Sequence, residues 1–118
     1  MNIVNLMGRL TKDPELRKTQ SGKSIASFRL AVRRDADNTD YIACVAWNNT
    51  AEFIERYFHK GNMLAITGHI STREYTDNDG KTHQITEVVA EKAYFTGEKA
   101  EKDNKNFEPI EDNGELPF

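Results

Sequence analysis

Residues 24–34 alternate with a period of two. Ala26, Phe28, Leu30 and Val32 fall on one face, while Ser27, Arg29 and Arg33 fall on the other. Such a pattern is a strand with one face in a core and one in water. Similar runs surround it. Residues 3–10 read as a strand in which Gly8 marks a bulge or the close approach of another backbone. Residues 11–23 are a loop, punctuated by Asp13-Pro14 and Ser21-Gly22. In 41–47, Tyr41, Ala43, Val45 and Trp47 share one side of a strand, and Ile42, Cys44 and Ala46 the other.

The period then changes. Asn49-Thr50-Ala51-Glu52 has the spacing of a capping box, and Ala51, Ile54 and Phe58 follow at helical intervals. Lys60-Gly61 closes the helix with a cation and a residue that tolerates positive φ. Residues 62–75 return to strand, 76–81 form a hairpin tip, and 82–95 make a last long strand. The order is three strands, one short helix, two strands. Five short strands in a small chain hide their edges most simply by closing into a barrel. The expected fold is therefore all-β: a five-stranded OB-fold barrel with one short helix between strands 3 and 4, with a half-open sandwich as the alternative that the pattern alone leaves open. A disordered acidic C-terminal tail follows it.

Charge divides the 118 residues unevenly. Residues 1–34 carry eight basic and two acidic side chains, residues 35–97 five and ten, and residues 98–118 three and seven. A basic opening in a chain of net charge −3 suits a polyanionic ligand. The lone Cys44 excludes an internal disulfide and reads as a buried small hydrophobe. No run approaches the ~20 apolar residues that span a bilayer, and no secretion signal opens the chain. A soluble, intracellular protein with no membrane partner is expected.

Three aromatic residues stand apart from the core pattern. Tyr41 and Trp47 share a face with polar neighbours at the strand ends, and Tyr75 precedes the hairpin tip beside Arg73 and Glu74. Exposed rings near cations suit the stacking of unpaired bases. Arg29 and Arg33 occupy the solvent or ligand face and supply phosphate contacts. Arg9, Arg17, Arg34, Lys60 and Arg73 are further candidates, while Lys12, Lys18, Lys92 and Lys99 read as solubilising. His59, His69 and His83 lack the spacing of a zinc site. Asp77-x-Asp79-Gly80 fails as a calcium loop, because Tyr75 and Thr86 fall where carboxylates are needed. No catalytic set, metal or cofactor is expected.

The segment from Leu6 to Arg17, LMGRLTKDPELR, resembles the opening of the bacterial single-stranded DNA-binding proteins. The likeness continues through SIASFRLAV, YIACVAW, Lys60-Gly61, TREYTD and TEV. The ending Glu115-Leu116-Pro117-Phe118 after Glu111-Asp112 is similar to the acidic tip of that family. The resemblance implies a non-enzymatic homotetramer of OB domains that wraps single-stranded DNA in replication, recombination and repair. It implies a cytoplasmic, nucleoid-associated protein. By position, it gives base stacking to Tyr41, Trp47 and Tyr75, backbone contact to Arg73, and a place near the DNA path to Lys60, Arg33 and Arg34. Residues 1–97 would be the binding domain, 98–107 a short charged linker and 108–118 the tip. The residues alone leave that tip open between a frayed terminus and a docking peptide. The resemblance makes it a docking site, through Glu111, Asp112, Glu115, Leu116, Pro117 and Phe118, for replication, recombination and repair proteins. Glu74 and Asn49 stand where the family often has cations, which predicts a shallower salt dependence or weaker binding. An adaptor whose main ligand is protein is the alternative.

Overall fold

The computed structural model describes residues 1–97. The expected linker and tip, with the docking residues Glu111, Asp112, Glu115, Leu116, Pro117 and Phe118, lie outside the described residues. Within them the chain forms β1 (Val4–Leu10), β2 (Glu15–Lys18), β3 (Ser24–Arg33), β4 (Thr39–Trp47), α1 (Asn48–Tyr57), β5 (Met63–Thr76) and β6 (Thr82–Tyr94).

Five of the strands close a ring. The hydrogen-bonded order is β1-β5-β6-β4-β3, and β3 returns to β1 through Arg9↔Ala31 and Leu10↔Leu30. The pairings are antiparallel except for β4 with β6, where Cys44, Val45 and Ala46 lie beside Val88, Val89 and Ala90. Two parallel neighbours cannot be joined by a tight turn. Here α1 and β5 make the crossover. The helix thus sits between the third and fourth strands of a five-stranded barrel, as the residue pattern predicts.

Alternation places the core inside the ring. Leu10, Ala26, Phe28, Leu30, Cys44, Leu64, Ile66 and Val88 are buried there, joined by Ala51 and Ile54 from α1 and by Phe58 just beyond it. Burying each large apolar side chain contributes about 1.5–3 kcal/mol against the entropy of ordering it. Phe53 and Phe95 extend the apolar cluster edge to face, their centroids 5.4 Å apart.

Two glycines permit the strands to approach. A Cβ at Gly8 would stand 2.6 Å from the Ala31 carbonyl oxygen. At Gly68 it would stand 1.8 Å from the Val89 oxygen, where a bulge interrupts the β5–β6 register. The expected close backbone approach at Gly8 is therefore real.

Three local expectations are corrected. The segment read as a loop over 11–23 contains β2, which pairs Glu15↔Ser27 and Arg17↔Ile25 along the outer edge of β3. All four of its residues are exposed, so it has no apolar alternation to betray it. The capping box does not form. Trp47 is the N-cap, no side chain caps the helix, and Asn48 adopts φ 52°. Glu52 instead accepts a 2.7 Å hydrogen bond from Ser24 Oγ. Finally, α1 ends at Tyr57, with Arg56 as the cation of its last turn. Gly61, at φ +87°, serves a later turn in which its N–H donates to the Leu10 carbonyl at 2.8 Å.

Candidate nucleic-acid interface

Register decides which side chains meet. Residues directly opposite across an antiparallel pair share a face. On the outside of the barrel, Ile25 faces Trp47, Ser27 faces Val45, Arg29 faces Ala43, Ala31 faces Tyr41 and Arg33 faces Thr39. β2 adds Arg17 beside Ile25. β1 adds Arg9 beside Ala31, so Arg9 and Tyr41 flank the same alanine. Across the parallel pair, Val89 lies beside Val45, and β5 then contributes Ser71 opposite Glu87. One outer face therefore runs from β2 and β1 through β3, β4 and β6 to β5.

An open groove of about 540 Å³ lies on this face, with Arg17, Arg29, Arg73 and Trp47 among its walls. Small residues, Ser27, Ala43 and Ser71, also line it. Trp47 is 39% exposed, Tyr41 60% and Tyr75 45%. None of the three rings is sealed in the core, although only Trp47 lines the groove itself. Tyr41 stands further along β4 on the same face.

Tyr75 stands on an arm. From Thr72 to Thr76 every residue of β5 is exposed, so the distal β5–β6 hairpin leaves the barrel with both faces in water. Its ring stacks on His83, centroids 5.0 Å apart and planes 24° from parallel. His83 Nε2 lies 2.7 Å from Asp77 Oδ2. Asp77 also accepts the N–H groups of Asp79 and Lys81, both at 2.9 Å, and so closes the tip around Gly80 at φ +84°. The His83 hydrogen bond, then the Lys81 N–H, holds the Asp77 carboxyl below the ordinary carboxylate value. One face of Tyr75 is thus covered, and its exposure lies on the other.

The cations divide by environment. Arg29 and Arg33 are exposed on the outer face as their alternation predicts. Arg73 donates Nε to Glu87 Oε2 at 2.9 Å while its side chain remains 54% exposed. Arg9 donates to the Gly61 carbonyl at 3.0 Å, at the end of β1. Lys60 is exposed in the turn after α1, held by its own N–H to Asp13 Oδ1 at 2.8 Å, and belongs to no strand of the face. Arg34 lies just past β3 and is bound by Asp40 through Nε and a terminal nitrogen. The Arg34 hydrogen bond holds the Asp40 carboxyl below its usual range. Cys44 faces the core, and burial pushes its thiol up to about 12, so it stays neutral and donates weakly to the Ile42 carbonyl.

Sequence reasoning underrated Arg17, because it sits on the strand hidden in the expected loop. The turn Ser21-Gly22 just before an alternating strand was the available signal for a hairpin. Glu87 was given no role, and His83 was weighed only as a metal ligand; register reveals that they face the groove and Tyr75. Among the described residues, no group of three acidic, His or Cys side chains is arranged to hold a metal ion. No described helix is long and apolar enough to cross a membrane.

Residues 1–96 match the model of the single-strand binding protein family. Among curated relatives, the single-stranded DNA-binding protein 2 of Listeria monocytogenes is 44% identical over 96% of this chain and 72% of its own. The single-stranded DNA-binding protein 2 of Listeria innocua is 48% identical over 80% of this chain and 64% of its own. The single-stranded DNA-binding protein of Oceanobacillus iheyensis is 44% identical over 80% of this chain and 63% of its own. The chain spans about two thirds of the length of these relatives.

Proposed function

The chain belongs to the single-strand binding protein family, and from that premise we propose that it binds single-stranded DNA along the outer face described above, without catalysis. The supporting observation is the shared face itself: Tyr41, Trp47 and Tyr75 are exposed on the same side of the sheet as Arg29, Arg33 and Arg73. Rings stack bases of any sequence, and guanidiniums track the phosphates between them. Arg17 and Arg9 extend the cationic border at either side. Arg34 contributes less, because Asp40 already occupies its donors. Lys60 acts from the adjoining turn.

The chain protects exposed single strands during replication, recombination and repair, as a homotetramer associated with the nucleoid. Its tip, through Glu111, Asp112, Glu115, Leu116, Pro117 and Phe118, recruits the enzymes of those processes. Family membership and the acidic, apolar-ended sequence support these roles.

Quenching of Trp47 fluorescence by oligothymidine tests the binding reading. Trp47→Ala and Tyr75→Ala, followed by fluorescence anisotropy of a labelled oligonucleotide, should each lower affinity. Losing one stacked base costs about 1–3 kcal/mol, a figure taken from single-strand-binding domains of this kind and not deduced from this geometry. Folded variants with undiminished affinity would favour the adaptor alternative. Phe118→Ala should spare DNA binding and weaken pulldown of replication or repair enzymes; undiminished pulldown would remove the docking role.

A further inference from the structure

Tyr75 differs from the other two stacking candidates in what stands behind it. Tyr41 and Trp47 lie on β4, in the wall of the closed ring. Tyr75 lies on the distal arm, where Thr72–Thr76 and, across from them, Thr82–Gln84 are all exposed. A side chain there has no packed surface to limit its rotamers. One ring lies against it instead. His83 is its direct partner in the register, stacked at 5.0 Å with the planes 24° apart. Among the described residues, neither Tyr41 nor Trp47 has a ring stacked on it.

The imidazole is itself held. His83 Nε2 lies 2.7 Å from Asp77 Oδ2. The Asp77 carboxyl stays below its ordinary value, so near neutral pH it is ionised and only accepts. The imidazole therefore donates from Nε2, which fixes the orientation of its ring. The other oxygen, Asp77 Oδ1, accepts the N–H groups of Asp79 and Lys81. A chain of contacts thus runs from the backbone of the tip through Asp77 and His83 to the Tyr75 ring. None of these residues belongs to the barrel core. A ring laid on such a plate loses its freedom when the protein folds, not when a base arrives. A base that stacks on a loose side chain must first order it, which lowers affinity.

We propose that His83 is a positioning residue for single-strand binding: pinned by Asp77, it holds Tyr75 flat with one face open to a base. This rests on the reading that Tyr75 stacks a base of the bound strand. His83 acts through Tyr75 and does not touch that base.

The test is a set of substitutions in the full chain, titrated with labelled oligothymidine at one salt concentration and read by anisotropy. His83→Ala should weaken binding at least about threefold. The same substitution should cost nothing further in Tyr75→Ala, because both act through one ring. His83→Phe restores a flat surface and should recover affinity, whereas His83→Leu, bulky but not flat, should not. The Asp79 and Lys81 amide resonances report the tip in each variant, since their bonds to Asp77 do not need His83. Should they shift in His83→Ala, the comparison of His83→Phe with His83→Leu decides alone. Undiminished affinity in His83→Ala overturns the proposal. So does an equal loss in the Tyr75→Ala background, which would mean that His83 meets the strand directly. Equal recovery by Leu and Phe also overturns it, by showing a general support of the hairpin. Where Tyr75→Ala alone still weakens binding, the stacking reading stands in each case. Undiminished affinity of folded Tyr75→Ala removes that reading, and the proposal with it.

Discussion

Arg34 donates through Nε and a terminal nitrogen to both carboxylate oxygens of Asp40. Arg29, five residues earlier on β3, lines the groove and has no ion-pair partner among the described residues. A guanidinium held by a carboxylate releases few counterions when a phosphate approaches. Arg29→Ala should therefore weaken oligonucleotide binding and flatten the log–log salt dependence by about 0.7 for each phosphate that is no longer neutralised. Arg34→Ala should leave that slope nearly unchanged. Titrations at several salt concentrations read both; equal slopes for the two variants would show that Arg34 leaves Asp40 for the strand. Sequence placed both arginines near the ligand, and alternation alone justified Arg29. The ion pair that separates them depends on how the 35–40 turn folds back, through Asp35 accepting the N–H groups of Asp37 and Asn38. No spacing rule announces that. Glu87 shows the same limit: an acidic residue in an alternating strand reads as solvent-facing, whereas here the outer face is itself a walled groove.

Strand β5 and the tip that follows it differ in what holds them. At Gly68, a methyl group would be driven against the backbone of Val89, and a backbone oxygen cannot swing aside as a side chain can. Gly68→Ala should cost about 1–3 kcal/mol or more, measured by urea denaturation. Unchanged stability would mean that the bulge absorbs the group by shifting register. At the far end, the depressed Asp77 carboxyl supports the hairpin tip above the ordinary carboxylate range. That support is lost as pH falls through the lowered folded value. The Lys81 amide resonance should titrate with a midpoint below the ordinary carboxylate range and cease to do so in Asp77→Asn. A midpoint at or above the ordinary carboxylate value would refute the arrangement. Elements with strong alternation, β3 and β4, were legible to within a residue or two, as was the hairpin tip with its Asp and Gly. β2 was not, because it owes its order to the edge of β3 and not to its own side chains. The helix was legible by position but not by its ends: Trp47 and Phe58, not Asn49 and Gly61, flank it.

At the scale of the whole molecule, charge is distributed in opposition. The first 34 residues hold a net +6 and the last 21 a net −4. On the expected division of the chain, the ten residues 98–107 would tether the acidic end and raise its effective concentration near the cationic face. Deleting residues 108–118 should tighten single-strand binding at low salt, and the gain should fade as salt screens the attraction. Affinity that does not change on deletion would show that the two regions do not compete. The ring also fixes an order of assembly. β1 pairs through Val4↔Gly68 to Arg9↔Met63, with residues about sixty positions further along the chain. Only Arg9 and Leu10 find an earlier partner in β3, so the rest of β1 leaves the ribosome well ahead of its match and waits until most of the domain has been synthesised. Completion of the cylinder is thus tied to translation of its second half.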